Sequence, residues 1–191
     1  MTSIKFKLEK QTLVFGIISI LYLSACNTEK TTHHKLSLQS VLHEYTYCKS
    51  NSTKKSDCKW FTSKAICGYF QIDDFVDEEY DGAYLPYDKV VEYVEQSIKW
   101  KLLGEASNQR VLDEAVANTE RGIPTIAISK QGGSGNAAII LPGKGTKSTS
   151  WGVTCPKVAV FMPHSYQKSF IDKTLNYAWA SPTEVFIYSK K

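Results

Sequence analysis

The sequence predicts an α+β domain in which helices come first and a mostly antiparallel sheet follows. Two observations carry this. Apolar residues recur at helical spacing through residues 38–116, and after Gly122 the pattern changes to short apolar runs parted by glycine-, serine- and threonine-rich loops. The 191 residues contain no internal repeat, and their number suits one domain with a real core.

Ser37 is placed to cap a first helix carrying Leu38, Val41, Leu42 and Tyr45. Residues 49–56 (KSNSTKKS) read as a polar, charged loop. Asp57 can cap a second helix with Cys58, Trp60, Phe61, Ala65 and Ile66, stopped by Gly68. Residues 71–85 are acidic and turn-rich; they lack EF-hand spacing and read as a solvated loop rather than a calcium site. Pro86 suits the first position of a third helix, whose apolar face is Val90, Val91, Val94, Ile98 and Leu102. A fourth runs from about Asn108 through Val111, Leu112, Ala115 and Val116 to Gly122. Strands are expected at 123–129, 137–142, 153–161 (with Pro156 marking an edge or bulge) and 183–188. Residues 165–179 have helical spacing through Phe170, Ile171, Leu175 and Ala178.

The N-terminus carries Lys5, Lys7 and Lys10, then an apolar run from Leu13 to Leu23 that is too short for a permanent membrane span. It ends in Leu23-Ser24-Ala25-Cys26, which resembles the lipobox of bacterial lipoproteins. That resemblance implies a signal peptide over 1–25, acylation of Cys26, a tether over 26–35 and a domain over 36–191. The partner it implies is a lipid bilayer. Asn27, rather than aspartate, then suggests the outer membrane, facing the periplasm, if the organism is Gram-negative. His33 and His34 fall in the tether, where an adjacent pair without further ligands makes no metal site. The formal net charge of +4 is mild and the lysines are scattered, which argues against nucleic acid. No cofactor is indicated.

With Cys26 assigned to lipid, Cys48, Cys58, Cys67 and Cys155 remain. An even number in an oxidising compartment suggests two disulfides, with three possible pairings. On one helix, Cys58 and Cys67 would lie ~13 Å apart, beyond bridging distance, so that pairing is disfavoured.

The order of elements, with Asp57-Cys58-Lys59-Trp60-Phe61 opening a helix ahead of the sheet, resembles the papain-like cysteine peptidases of bacterial cell walls, the NlpC/P60 and CHAP group. The resemblance implies Cys58 as nucleophile, activated at a helix N-terminus whose amides double as oxyanion donors. It also implies peptidoglycan peptides as substrate or ligand. The position of the family's histidine is held by Asn136, after the loop Gly132-Gly133-Ser134-Gly135, and an amide cannot serve as a base. Three readings stay open: a degenerate site that binds without cleaving, a base supplied by His164 or His43, or Cys58 as half of a disulfide. Thr154 is the nearest candidate, by order, for an orienting group. Trp151, beside Gly152 in a turn, is a candidate for stacking on sugars. The non-enzymatic alternatives are an inhibitor or immunity-type lipoprotein bound to an envelope protein, and a structural envelope lipoprotein.

Overall fold

The computed structural model describes residues 36–54, 58–131 and 136–191. The segments expected to be signal peptide and tether, with Cys26, His33 and His34, as well as Asp57 and the glycine-rich residues 132–135, lie outside the described residues. Among the described residues the fold is α+β: four α-helices and a six-stranded antiparallel sheet. Among the described residues, no helix is long and apolar enough to cross a membrane.

Helix α1 (Leu38–Asn51) buries Leu38, Val41 and Tyr45 along one stripe, and the Tyr45 hydroxyl donates to the Met162 carbonyl at 2.8 Å. Helix α2 (Phe61–Phe70) runs past Gly68, the residue expected to stop it, and ends at Gln71 in the left-handed conformation (φ 57°). Gly68 has a different task. Leu36 lies on it, its amide donating to the Gly68 carbonyl at 3.1 Å, and a Cβ there would come within 2.3 Å of the Leu36 side chain. The chain therefore enters the domain against the C-terminal turn of α2.

Helix α3 (Tyr87–Gln96) follows Pro86, which caps it from outside rather than serving as its first residue. It is shorter than the sequence spacing suggests. Val90 and Val94 are buried, but Ile98 is 86% exposed and Leu102 belongs to strand β1 (Trp100–Glu105). Helix α4 (Gln109–Glu120) matches expectation, and the Asn108 side chain accepts the Arg110 amide at 3.0 Å.

Then come β2 (Thr125–Ser129), β3 (Asn136–Ile140), the small ribbon of β4 (Thr146–Lys147) and β5 (Thr154–Cys155), β6 (Lys157–Val160), β7 (Phe170–Thr174) and β8 (Val185–Lys190). Pro156 parts β5 from β6, as a residue without an amide hydrogen should. Segment 165–179 is not a helix. It forms β7 between two short 3₁₀ turns, because the open edge of β6 offers it a hydrogen-bonded ladder from Lys157–Thr174 to Val160–Phe170. The strand order is β1-β8-β2-β3-β6-β7, so the final strand is inserted between the first two.

The sheet is covered on both faces, and strand alternation divides the core in two. Ile126, Ile128, Ala137, Ile139, Ala159 and Phe161 point to α1–α3. Ala127, Ala138, Ile140, Val158, Val160 and Ile187 point to α4 and the loops around Trp151 and Leu175. Each fully buried isoleucine contributes roughly 1.5–3 kcal/mol by leaving water. The acidic segment before α3 is not wholly solvated: the Asp74 side chain is completely buried and ion-paired with Lys190, fastening this segment to β8.

Candidate functional site

Cys58 lies three residues before α2, in a turn, with φ 64°. It is outside the helix's first turn, so the helix amides and dipole do not act on it as the sequence suggested. Its sulfur is bonded to Cys48 on α1, with the Cα atoms 6.2 Å apart. A disulfide sulfur has no thiolate to offer, and the residue is 95% buried besides (5% exposed). The expected nucleophile is therefore a cross-link joining the end of α1 to the approach to α2.

Asn136 does not face it. As the first residue of β3, Asn136 pairs with Ser129 and shares its face with Ala138 and Ile140, toward α4. Cys58 packs in the opposite core, with Tyr45, Phe61 and Phe161. The Asn136 side-chain amide nitrogen donates weakly to the Met162 sulfur at 3.5 Å, and its side-chain oxygen is buried without a hydrogen-bond partner among the described residues. The sheet thus separates the thiol and base positions that the family resemblance paired.

Of the other candidates, His43 is exposed on α1. Thr154 takes the Gln109 side-chain oxygen on its amide at 2.6 Å and supports the β4–β5 ribbon. Trp151 is 7% exposed, and its indole nitrogen donates to the Ala180 carbonyl at 3.3 Å. Its rings fill the core under α4 and leave no open face for a sugar. The expectation of two disulfides is also corrected. Cys67 is buried on the α1–α3 side and Cys155 on the α4 side, so the sheet keeps these two thiols apart. Burial pushes the Cys67 thiol up to about 12, against a smaller opposing pull from a backbone hydrogen bond at Phe75; burial also raises Cys155. Neither is poised to react.

His164 is the exception. It sits exposed in the turn after β6, edge-on to the Tyr87 ring at 6.3 Å between centroids, and it lines a cleft of about 320 Å³. The other walls are Lys49, Ser52, Thr53 and Lys54 from the end of α1, and Pro163 and Tyr166 from the far side. The cleft thus opens next to Cys48. The phenol of Tyr87 is itself shifted upward, first by burial and then by Asp88, with Lys59 opposing.

Chemically the lining is one-sided. The lining carries two ammonium groups, two hydroxyls, an imidazole and a phenol, with the Ser52 hydroxyl already donating to the Lys54 carbonyl at 2.8 Å, and among the described residues no carboxylate lines it. Such a surface suits an anionic group, above all a carboxylate. Sequence reasoning found His164 but read residues 49–56 only as solvated loop. Their run of lysines and hydroxyls is the available signal; that Lys49, Ser52, Thr53 and Lys54 share a cleft with the turn at 163–166 is not. Among the described residues, no three histidine, cysteine, aspartate or glutamate side chains gather as a metal site would require. The chain matches no protein-family model, and no curated protein sequence is significantly similar to it.

Proposed function

We propose that this chain is a lipid-anchored cell-envelope protein whose domain binds peptidoglycan peptides without cleaving them. The observation that carries the non-catalytic part is the Cys48–Cys58 bond, which occupies the sulfur a papain-type mechanism needs. The placement of Asn136 on the other face of the sheet supports it. In this reading the likeness to papain-like wall peptidases is one of element order, helices ahead of an antiparallel sheet, without a thiol–imidazole pair.

The cleft beside the disulfide supplies the binding part. Wall peptides carry free carboxylates, and Lys54 and His164, with Lys49 beside them in the lining, offer donors for one of them. Anchorage rests on Leu23-Ser24-Ala25-Cys26, with the acylated Cys26 in the membrane and, in a Gram-negative cell, the domain facing the periplasm from the outer membrane.

Purified muropeptides test this directly. The full chain should leave them intact, with and without reductant, and bind them in a titration. Lys49→Ala combined with Lys54→Ala should weaken binding about tenfold, and His164→Ala several-fold. Turnover abolished by Cys58→Ala would overturn the non-catalytic reading, and binding indifferent to all three substitutions would overturn the assignment of the cleft. Anchorage is tested separately: Cys26→Ala should abolish labelling by a palmitate analogue, and unchanged labelling would contradict it.

A further inference from the structure

The cleft beside α1 and the disulfide are parts of one construction. Four of the lining residues, Lys49, Ser52, Thr53 and Lys54, fall within the stretch of chain that Cys48–Cys58 closes into a loop of sequence separation 10. The two ends of this loop are held unequally. Cys58 is buried in the core on the α1–α3 side, whereas Cys48 is only partly buried in the last turn of α1. The bond therefore ties the outer end of one wall to an inner anchor.

Several hydrogen bonds inside the loop are local. The Ser50 hydroxyl and the Asn51 side-chain amide donate to the Tyr47 carbonyl at 3.0 and 2.8 Å, and the Ser52 hydroxyl accepts the Lys54 amide at 3.2 Å. These bonds shape the bend without fastening it to the sheet. The facing wall is fastened in another way. The Tyr45 hydroxyl donates to the Met162 carbonyl at 2.8 Å, the Met162 amide donates to the Ser169 hydroxyl at 2.8 Å, and the Tyr87 ring packs edge-on to His164. None of these three contacts passes through a sulfur, so opening the disulfide acts first on the wall that carries the lysines.

An open loop samples many more conformations than a closed one. Ordering Lys54 and its neighbours opposite His164 then becomes a cost of ligand binding, whereas in the oxidised chain the cross-link has ordered them beforehand.

We infer, on the assignment of this cleft as a carboxylate site, that the Cys48–Cys58 bond is a redox control on it: the oxidised chain binds its ligand, and a dithiol reductant weakens that binding by opening the bond. A thiolate of the dithiol attacks the sulfur of Cys48, the less buried of the two residues, and Cys58 leaves as a thiolate that takes up a proton. The second thiol of the reductant loses its proton and displaces the Cys48 thiolate, which is protonated in turn. The chain gains two electrons and two protons, and the dithiol becomes a disulfide. Exchange with an oxidised disulfide runs the same steps backward and restores the cleft.

Muropeptide titration of the full chain in non-ionic detergent, with and without dithiothreitol, tests this, with amide exchange followed in parallel. Reduction should lower affinity about tenfold or more, speed exchange across residues 49–54 and leave α4 protected. Reoxidation should reverse both changes. Cys48→Ser combined with Cys58→Ser should reproduce the reduced state without any reductant; should that variant fail to fold, the reduced chain with α4 still protected decides the matter. A loosened wall also predicts non-additivity. Lys49→Ala combined with Lys54→Ala, which lowers affinity about tenfold in the oxidised chain, should lower it less than about threefold in the reduced one. Equal affinity of the oxidised and reduced chains would overturn this inference alone and leave the cleft assignment standing. So would a full lysine effect retained after reduction, or loss of α4 protection together with the wall. No binding in either state would overturn the cleft assignment and this inference together.

Discussion

The two faces of the sheet are built from the same strands but do different work. Toward α1–α3 the packing is aromatic and cross-linked. Tyr45 sits between Phe61 and Phe161, Trp60 stacks on Phe61 at 4.0 Å, and Cys48–Cys58 and Asp74–Lys190 fasten the outer segments down. Toward α4 the packing is aliphatic and compact, built on Ala127, Ala138, Ile140, Val158 and Val160. The cleft lined by Lys49, Lys54 and His164 lies on the α1–α3 side. The contrast teaches that the proposed binding cleft lies where helices and loops are stapled onto the sheet, and that the α4 side is held mainly by aliphatic packing.

Breaking the buried ion pair should therefore hurt more than thinning either core. The largest loss is expected from Lys190→Met, which leaves the fully buried Asp74 carboxylate without its cation. Stranding a buried charge costs roughly 3–5 kcal/mol, readable as a shift of the urea midpoint. Next come Ile139→Ala and Ile140→Ala, adjacent residues that feed opposite cores and are each at most 1% exposed. Each should cost about 3 kcal/mol. If one loss is far smaller, that face relaxes around the void and the two cores are not equally close-packed.

Reduction of Cys48–Cys58, which closes a loop of sequence separation 10, should cost about 2–3 kcal/mol. It should also loosen the cleft at the end of α1 before it disturbs α4, a difference that amide exchange resolves. Raising the pH gives the smallest effect. The Cys67 thiol, at about 12 in the folded protein, stays protonated where the unfolded chain ionises, near ~8.5. The unfolded state then binds fewer protons, so stability is complete below that pH and falls as pH climbs toward the folded value. The loss should reach about 2 kcal/mol by pH ~10. Burial moves Tyr188 in the same direction, so Cys67→Ala should flatten the fall without abolishing it.

Much of this architecture could be read from spacing alone. Asn108 with Val111, Leu112 and Ala115 announces α4, and the two apolar runs after Gly122 announce β2 and β3. Two errors share one cause. Ile98 and Leu102 continue the spacing of α3, and Phe170, Ile171, Leu175 and Ala178 mimic a helical stripe, yet both segments meet an unpaired strand that offers a better ladder. Local periodicity does not register such an offer. The site was less legible. That Asn136 shares a face with Ala138 follows from strand period, but which face receives the Cys58 segment depends on how α1–α3 pack. Likewise Cys48 meets Cys58 only because α1 and α2 lie side by side.

The account turns on the state of Cys58. A non-reducing peptide map tests it most directly, with thiols alkylated first in native and then in unfolded protein. The expected result is one cross-linked pair containing Cys48 and Cys58, no native alkylation at Cys58, and alkylation of Cys67 and Cys155 only after unfolding. An alkylated Cys58 in the native protein would restore a free nucleophile beside α2 and contradict the non-catalytic reading.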